Sequence, residues 1–177
     1  MKNILLLSIL LIVSCKTTKK NNFLISNSMS QSTIDCPENG DCSIELIPNK
    51  SLEFKTDNIG MSYPVITEGN KTIFKYTYNR KSIKNTQDGN YTEIVYAELS
   101  ETISDLDLNN IDLQNVKLYF GRLCYCKGQT GYYPIKNGNF KITSLDNDSV
   151  NFKLNFKISE VPQIITEINE SISLKSN

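Results

Sequence analysis

The chain contains no histidine and no tryptophan. Without an imidazole there is no Ser-His-Asp triad, no Cys-His dyad, no HExxH zinc site and no proton shuttle titrating near neutrality. What remains for catalysis is chemistry on paired carboxylates, on Lys or Tyr, or on cysteine alone. An excess of charge is also missing: 19 Lys and Arg stand against 19 Asp and Glu. Such a balance gives no basic face for a nucleic acid, so none is expected as a partner. Long apolar runs are missing too. Ile4–Val13 is broken by Ser8 and falls far short of the ~20 residues that a membrane-spanning helix needs.

What is there begins with an address. Behind Met1-Lys2-Asn3, the short apolar run has the shape of a secretory signal. It ends in Ile12-Val13-Ser14-Cys15, four residues that resemble the lipobox of bacterial lipoproteins. The resemblance implies cleavage before Cys15, a thioether-linked diacylglycerol on its sulfur and acylation of the new amine. Each buried methylene of such an anchor contributes about 0.8 kcal/mol, so two or three chains hold where one does not. Lys16–Ile34 is rich in Ser, Thr and Asn and reads as a tether, reaching roughly 65 Å when stretched. The expected organisation is therefore a signal over 1–14, a lipidated cysteine and tether over 15–34, and one β domain over 35–177.

Lys16, Lys19 and Lys20 follow the cysteine. An Asp there would resemble inner-membrane retention, and an acidic cluster would resemble the surface-export signal of Bacteroidetes lipoproteins. The comparison implies the periplasmic face of the outer membrane. Lipobox, Ser/Asn-rich tether, and strands of the Gly138-Asn139-Phe140-Lys141-Ile142 and Val150–Ile158 kind together resemble the small envelope lipoproteins of Bacteroidetes. That class implies an envelope location with the membrane as a partner.

From Cys36 onward, period-two alternation between turn residues predicts strands. They are Ser43–Ile47, Ser51–Thr56 after Pro48-Asn49, Thr72–Tyr78, Tyr91–Leu99, Val116–Phe120, Phe140–Thr143, Val150–Ile158 and Ile164–Leu174. Gly121 is a candidate kink, and Ser104–Leu113 could form a short helical turn or an acidic loop. About eight short strands imply an all-β fold, an antiparallel sandwich or open barrel.

Four cysteines besides Cys15 remain: Cys36, Cys42, Cys124 and Cys126. In an exported domain they are expected as two disulfides. Residues i and i+2 of a strand lie about 6.6 Å apart at Cα, near the upper limit for a disulfide. The expected pairing therefore joins the Cys124-Tyr125-Cys126 unit to Cys36 and Cys42. A redox-active CxC is the rival, whereas the spacings do not fit a structural zinc site. No metal and no cofactor is expected.

The densest collection of binding groups is Gly121–Pro134, with Arg122, Tyr125, Lys127, Gln129, Tyr132 and Tyr133. Rings beside hydrogen-bond donors suit a glycan, a peptide or an envelope protein. Arg80, Asp88, Tyr91 and Glu93 form a second polar group that could join it. The alternative is a purely structural lipoprotein in which this segment packs internally. A carboxylate-dependent glycoside hydrolase or a thiol oxidoreductase stands behind both, and the chain is read as non-catalytic.

Overall fold

The computed structural model describes residues 35–81, 86, 88–146 and 148–174. The expected signal, Cys15 and tether lie outside the described residues. The domain is a two-sheet antiparallel sandwich, not a closed barrel. One sheet has five strands in the order β1 (Gly40–Thr56), β2 (Ser62–Arg80), β3 (Tyr91–Ser100), β5 (Tyr119–Cys124), β6 (Gly131–Pro134). The other has four: β4 (Leu106–Asn109), β7 (Asn137–Ser144), β8 (Ser149–Lys157), β9 (Glu167–Ser173).

Alternation decides which side chains meet between the sheets. Val150, Phe152, Leu154, Phe156 and Ile158 are all buried, as their spacing in β8 predicts. They face Phe74, Tyr76, Tyr78, Val95 and Phe120 of the larger sheet. Phe74 lies 4.8 Å from Phe152 and 6.1 Å from Phe140, centroid to centroid, so the two layers interlock through rings.

Two expected short strands are one long one. Pro48-Asn49 does not end β1 but bends it: Asn49 takes a left-handed φ of 57°, and Gly69-Asn70 bulge out of β2 opposite. Pro48 is tolerated because the proximal half of β1 is a sheet edge, where a missing N–H leaves no ladder bond unmade. A β carbon on Gly69 would come within 2.9 Å of the Lys50 backbone, so only glycine permits this close approach.

The bend gives the fold a third layer. The distal arm of the β1–β2 hairpin crosses the outer face of the five-stranded sheet and reaches β5. There Phe54 stacks on Tyr119 with centroids 3.6 Å apart. Beneath the arm, Leu52, Ile73, Ile94 and Tyr96 form a second buried cluster. This sheet is thus packed on both faces where the arm lies. The arm is latched at Leu52, whose N–H donates to Glu98 Oε2 at 3.4 Å. Its carbonyl accepts from Lys117 Nζ at 2.7 Å, and Lys117 also pairs with Glu98.

Lys117 corrects another expectation. Val116 does not begin a strand; it ends a 3-10 helix spanning Asn110–Val116, and Lys117 stops that helix in a left-handed conformation of φ 47°. The Ser104–Leu113 region does hold a helical turn, the start of this helix, but Leu106–Asn109 ahead of it is a short strand and not an acidic loop. Gly131–Pro134, which lies within the expected binding loop, is instead a short strand at the sheet edge, paired with β5.

Glu98→Ala removes the acceptor for both Leu52 N–H and Lys117. A charged hydrogen bond is worth about 1.5–3 kcal/mol, so trypsin should cut after Lys55 about tenfold faster or more while the main core stays folded. Timed proteolysis with mass spectrometry checks this; an unchanged rate at Lys55 refutes the latch.

Candidate functional site

One row of paired residues crosses the inner face near one end of the sandwich: Cys42, Tyr78, Glu93 and Arg122, on β1, β2, β3 and β5. Glu93 is 1% exposed and Arg122 is 7% exposed. A buried carboxylate must be satisfied on every side or it unfolds its surroundings. Glu93 accepts N–H bonds from Ile164 at 2.6 Å and Ile165 at 2.7 Å. Its third donor is the Tyr91 hydroxyl. Burial first, and then this bond to Glu93, pushes the Tyr91 phenol up to about 12, so it stays a donor across the physiological range.

Tyr91 passes the connection outward. Its oxygen accepts from Arg122 Nε at 3.2 Å, and its ring carries the Arg80 guanidinium at 4.8 Å and that of Arg122 at 5.2 Å. Arg80 also donates to the Gly89 carbonyl at 3.2 Å. Arg80, Tyr91 and Glu93 from one of the polar groups read from sequence and Arg122 and Gln129 from the other are therefore one network, joined through Tyr91.

Arg122 finally holds the turn between β5 and β6. Its Nη1 donates to Gln129 Oε1 at 2.9 Å and to the Gln129 carbonyl at 3.2 Å. Thr130 Oγ1 returns a bond to the Arg122 carbonyl at 3.1 Å. Gly128, at φ 73°, supplies the left-handed residue of the turn, and Gln129 N–H closes it on the Cys126 carbonyl at 3.0 Å. On its outside stands Tyr125, 85% exposed. Tyr125 lines two shallow depressions of about 380 and 490 Å³. The first adds Asp88, Asn90 and Thr92; the second adds Lys127, Gly128 and Thr130.

The six residues expected to share one surface are divided. Tyr125, Lys127 and Gln129 are exposed on the turn, whereas Arg122 is inside and supports it. Tyr133 packs half-buried against the main core. Tyr132 points to the opposite face, over Gly121, and joins the outer cluster. Gly121 is consequently no kink: a β carbon there would meet the Tyr132 ring at 2.5 Å.

The disulfides also differ from expectation. Cys36 bonds Cys42 and Cys124 bonds Cys126. Two strands, β2 and β3, separate β1 from β5, which puts Cys42 and Cys124 more than about 14 Å apart at about 4.8 Å per strand. No disulfide spans that distance. The chain bends at Tyr125, which shortens the Cys124–Cys126 Cα distance to 5.2 Å and allows the local bond.

A second inward carboxyl, Glu170 on β9, accepts the Asp35 N–H at 2.9 Å. Burial raises it above the ordinary carboxylate range; the Asp35 N–H pulls it down and the Asp35 charge raises it again. Among the described residues, no cluster of three or more His, Cys, Asp or Glu is arranged to hold a metal ion. Comparison with known proteins finds no matching family model, no similar curated protein and no similar solved structure.

Glu93→Gln replaces one carboxylate oxygen by an amide donor facing N–H groups. It should cost about 2 kcal/mol in urea unfolding, as loss of a charged hydrogen bond with a buried donor left unpaired. A cost near zero refutes the network's role. Glu170 gives a pH signature. Its raised folded value means that the folded chain keeps a proton the unfolded chain has already released. Its contribution is therefore favourable in acid and is lost as pH rises from 4.5 through the raised value. Glu170→Gln keeps an acceptor for Asp35 without the charge. Its melting temperature should climb relative to the parent from about pH 4 to pH 7, whereas a constant difference contradicts the assignment.

Proposed function

We propose that this chain is a lipid-anchored envelope protein, held through Cys15 on the periplasmic face of the outer membrane, whose β domain binds a glycan at the Tyr125 turn. The observation that carries the reading is the Tyr125 ring, 85% exposed on a turn that the chain fixes from beneath. An aromatic side chain left in water on a rigid mount offers apolar area with little left to order on binding. A sugar ring laid on Tyr125 brings its hydroxyls over Asp88, Asn90 and Thr92 on one side and Lys127 and Thr130 on the other. The depressions are shallow and open, which suits an extended glycan chain better than a small enclosed ligand.

The anchor rests on the lipobox at Ile12–Cys15 and on the tether that follows it. A structural lipoprotein is the second reading, favoured by the inward position of Arg122 and Tyr133.

Tyr125→Ala should weaken glycan-array binding about tenfold or more, the value of one lost aromatic stack, without moving the melting temperature. Binding unaffected by that change, or capture of peptides with no glycan bound, defeats the site. Cys15→Ser should release the chain from the membrane fraction and abolish an acyl adduct in the mass spectrum; retention on membranes defeats the anchor.

A further inference from the structure

The two disulfides hold different things. Cys36–Cys42 ties the chain entering the domain to β1, and both residues pack against the main core. Cys124–Cys126 joins two residues of a single turn. That turn is already closed by the β5–β6 ladder, where Arg122 pairs with Gly131. It is closed again by Gln129 N–H on the Cys126 carbonyl, and by Arg122 on Gln129. A bond across one intervening residue also removes little freedom from the unfolded chain, because the loop it closes is so short. As a staple it has almost nothing to do.

Its surroundings suit another role. Both sulfur-bearing residues line the 490 Å³ depression open to solvent. Cys124 leans partly on the main core, whereas Cys126 lies out in the turn with exposed Lys127 beside it in the chain. A neighbouring ammonium favours thiolate, and exposed disulfides are the ones that exchange. Tyr125, standing between the two cysteines, offers an approaching polypeptide an apolar contact at the sulfurs.

We infer that Cys124–Cys126 is an exchangeable disulfide that accepts an electron pair from a protein dithiol. A thiolate of the dithiol attacks Cys126 Sγ. The Cys124–Cys126 bond breaks, its electron pair leaves on Cys124 as thiolate, and a mixed disulfide forms at Cys126. The second thiol of the dithiol loses its proton to solvent and attacks its own partner's sulfur in that mixed disulfide, expelling Cys126 as thiolate. Cys124 and Cys126 take up two protons and end as thiols. The dithiol ends as a disulfide, having lost two electrons, and no other oxidant is consumed. The inference does not rest on glycan binding.

The test titrates the full chain with a ladder of reduced-to-oxidised dithiothreitol ratios, quenches by alkylation and reads each cysteine by peptide mass spectrometry. Cys124 and Cys126 should become alkylated at a ratio at least tenfold lower than Cys36 and Cys42, a difference of about 30 mV for two electrons. Reduced thioredoxin, used as the protein dithiol, should be oxidised one for one by the parent chain. The Cys124→Ser, Cys126→Ser double variant should leave it reduced. That variant should also melt within about 3 °C of the parent, since the turn holds without the bond. Opening of both disulfides at one ratio, opening of Cys36–Cys42 first, or thioredoxin left reduced by the parent overturns the inference. So does a double variant that melts far lower or fails to fold, because the bond is then a staple. None of these readouts involves a glycan, so a failure of the Tyr125 site is seen separately.

Discussion

The carboxylate of Glu93 is buried between two sheets, and the end of the sandwich is arranged around it. Left unpaired in that setting, a charge would cost several kcal/mol, a large fraction of the stability of a domain this size. Two backbone N–H groups of the segment joining β8 to β9 answer it directly, at Ile164 and Ile165. That segment is otherwise held by Gln163, whose side chain bonds Ile158, Phe156 and Ile165. One acid thus fixes how the four-stranded sheet closes over the five-stranded one. Through Tyr91 the same charge positions Arg122, and through Arg122 the turn that presents Tyr125. The exposed ring is the surface end of a line of hydrogen bonds that begins in the core.

The hairpin arm solves a different problem. A sheet with apolar residues in both phases, such as Ile73 and Phe74 or Ile94 and Val95, would expose one dry face to water. Many folds cover such a face with a helix, but this sequence has little helical periodicity. It covers the face with its own chain, lengthening β1 and β2 past the sheet and folding them back at Asn49 and Gly69-Asn70. The latch at Leu52 matters because the returning strands pair only with each other: Glu98 and Lys117 side chains supply the partners that a further strand would have given.

The all-β class and most strands are legible because alternation survives in a single sequence. β8 is the clearest case, where every second residue is apolar and every one of them is buried. The same alternation carries a further signal in its charged members. Glu93 is in phase with Tyr91, Val95, Ala97 and Leu99, and Glu170 with Ile168, Ile172 and Leu174. A charge in register with apolar neighbours points inward, and both do. Arg122 likewise follows Leu118 and Phe120, so the expectation of an exposed loop puts it on the wrong side of the sheet. The cysteine pairing is not legible. It depends on which strands lie between β1 and β5, a property of topology, and on one bend at Tyr125 that no spacing rule reveals.

Placement of the chain's entry bears on how the proposed anchor would present the domain. Asp35 bonds Glu170 on β9, and Cys36–Cys42 lies at the β1 end of the row that runs through Tyr78 and Glu93 to Arg122. The tether would therefore leave from the same end of the sandwich that carries the Tyr125 turn, about three strand spacings or roughly 14 Å to one side. On a tether with the average span of a coil, about 25 Å, that end would lie toward the proposed membrane. On an extended one of roughly 65 Å the domain would be free to turn over and present Tyr125 outward. Tether length rather than affinity would then decide which glycans the ring can meet, those beside its own bilayer or those across the gap.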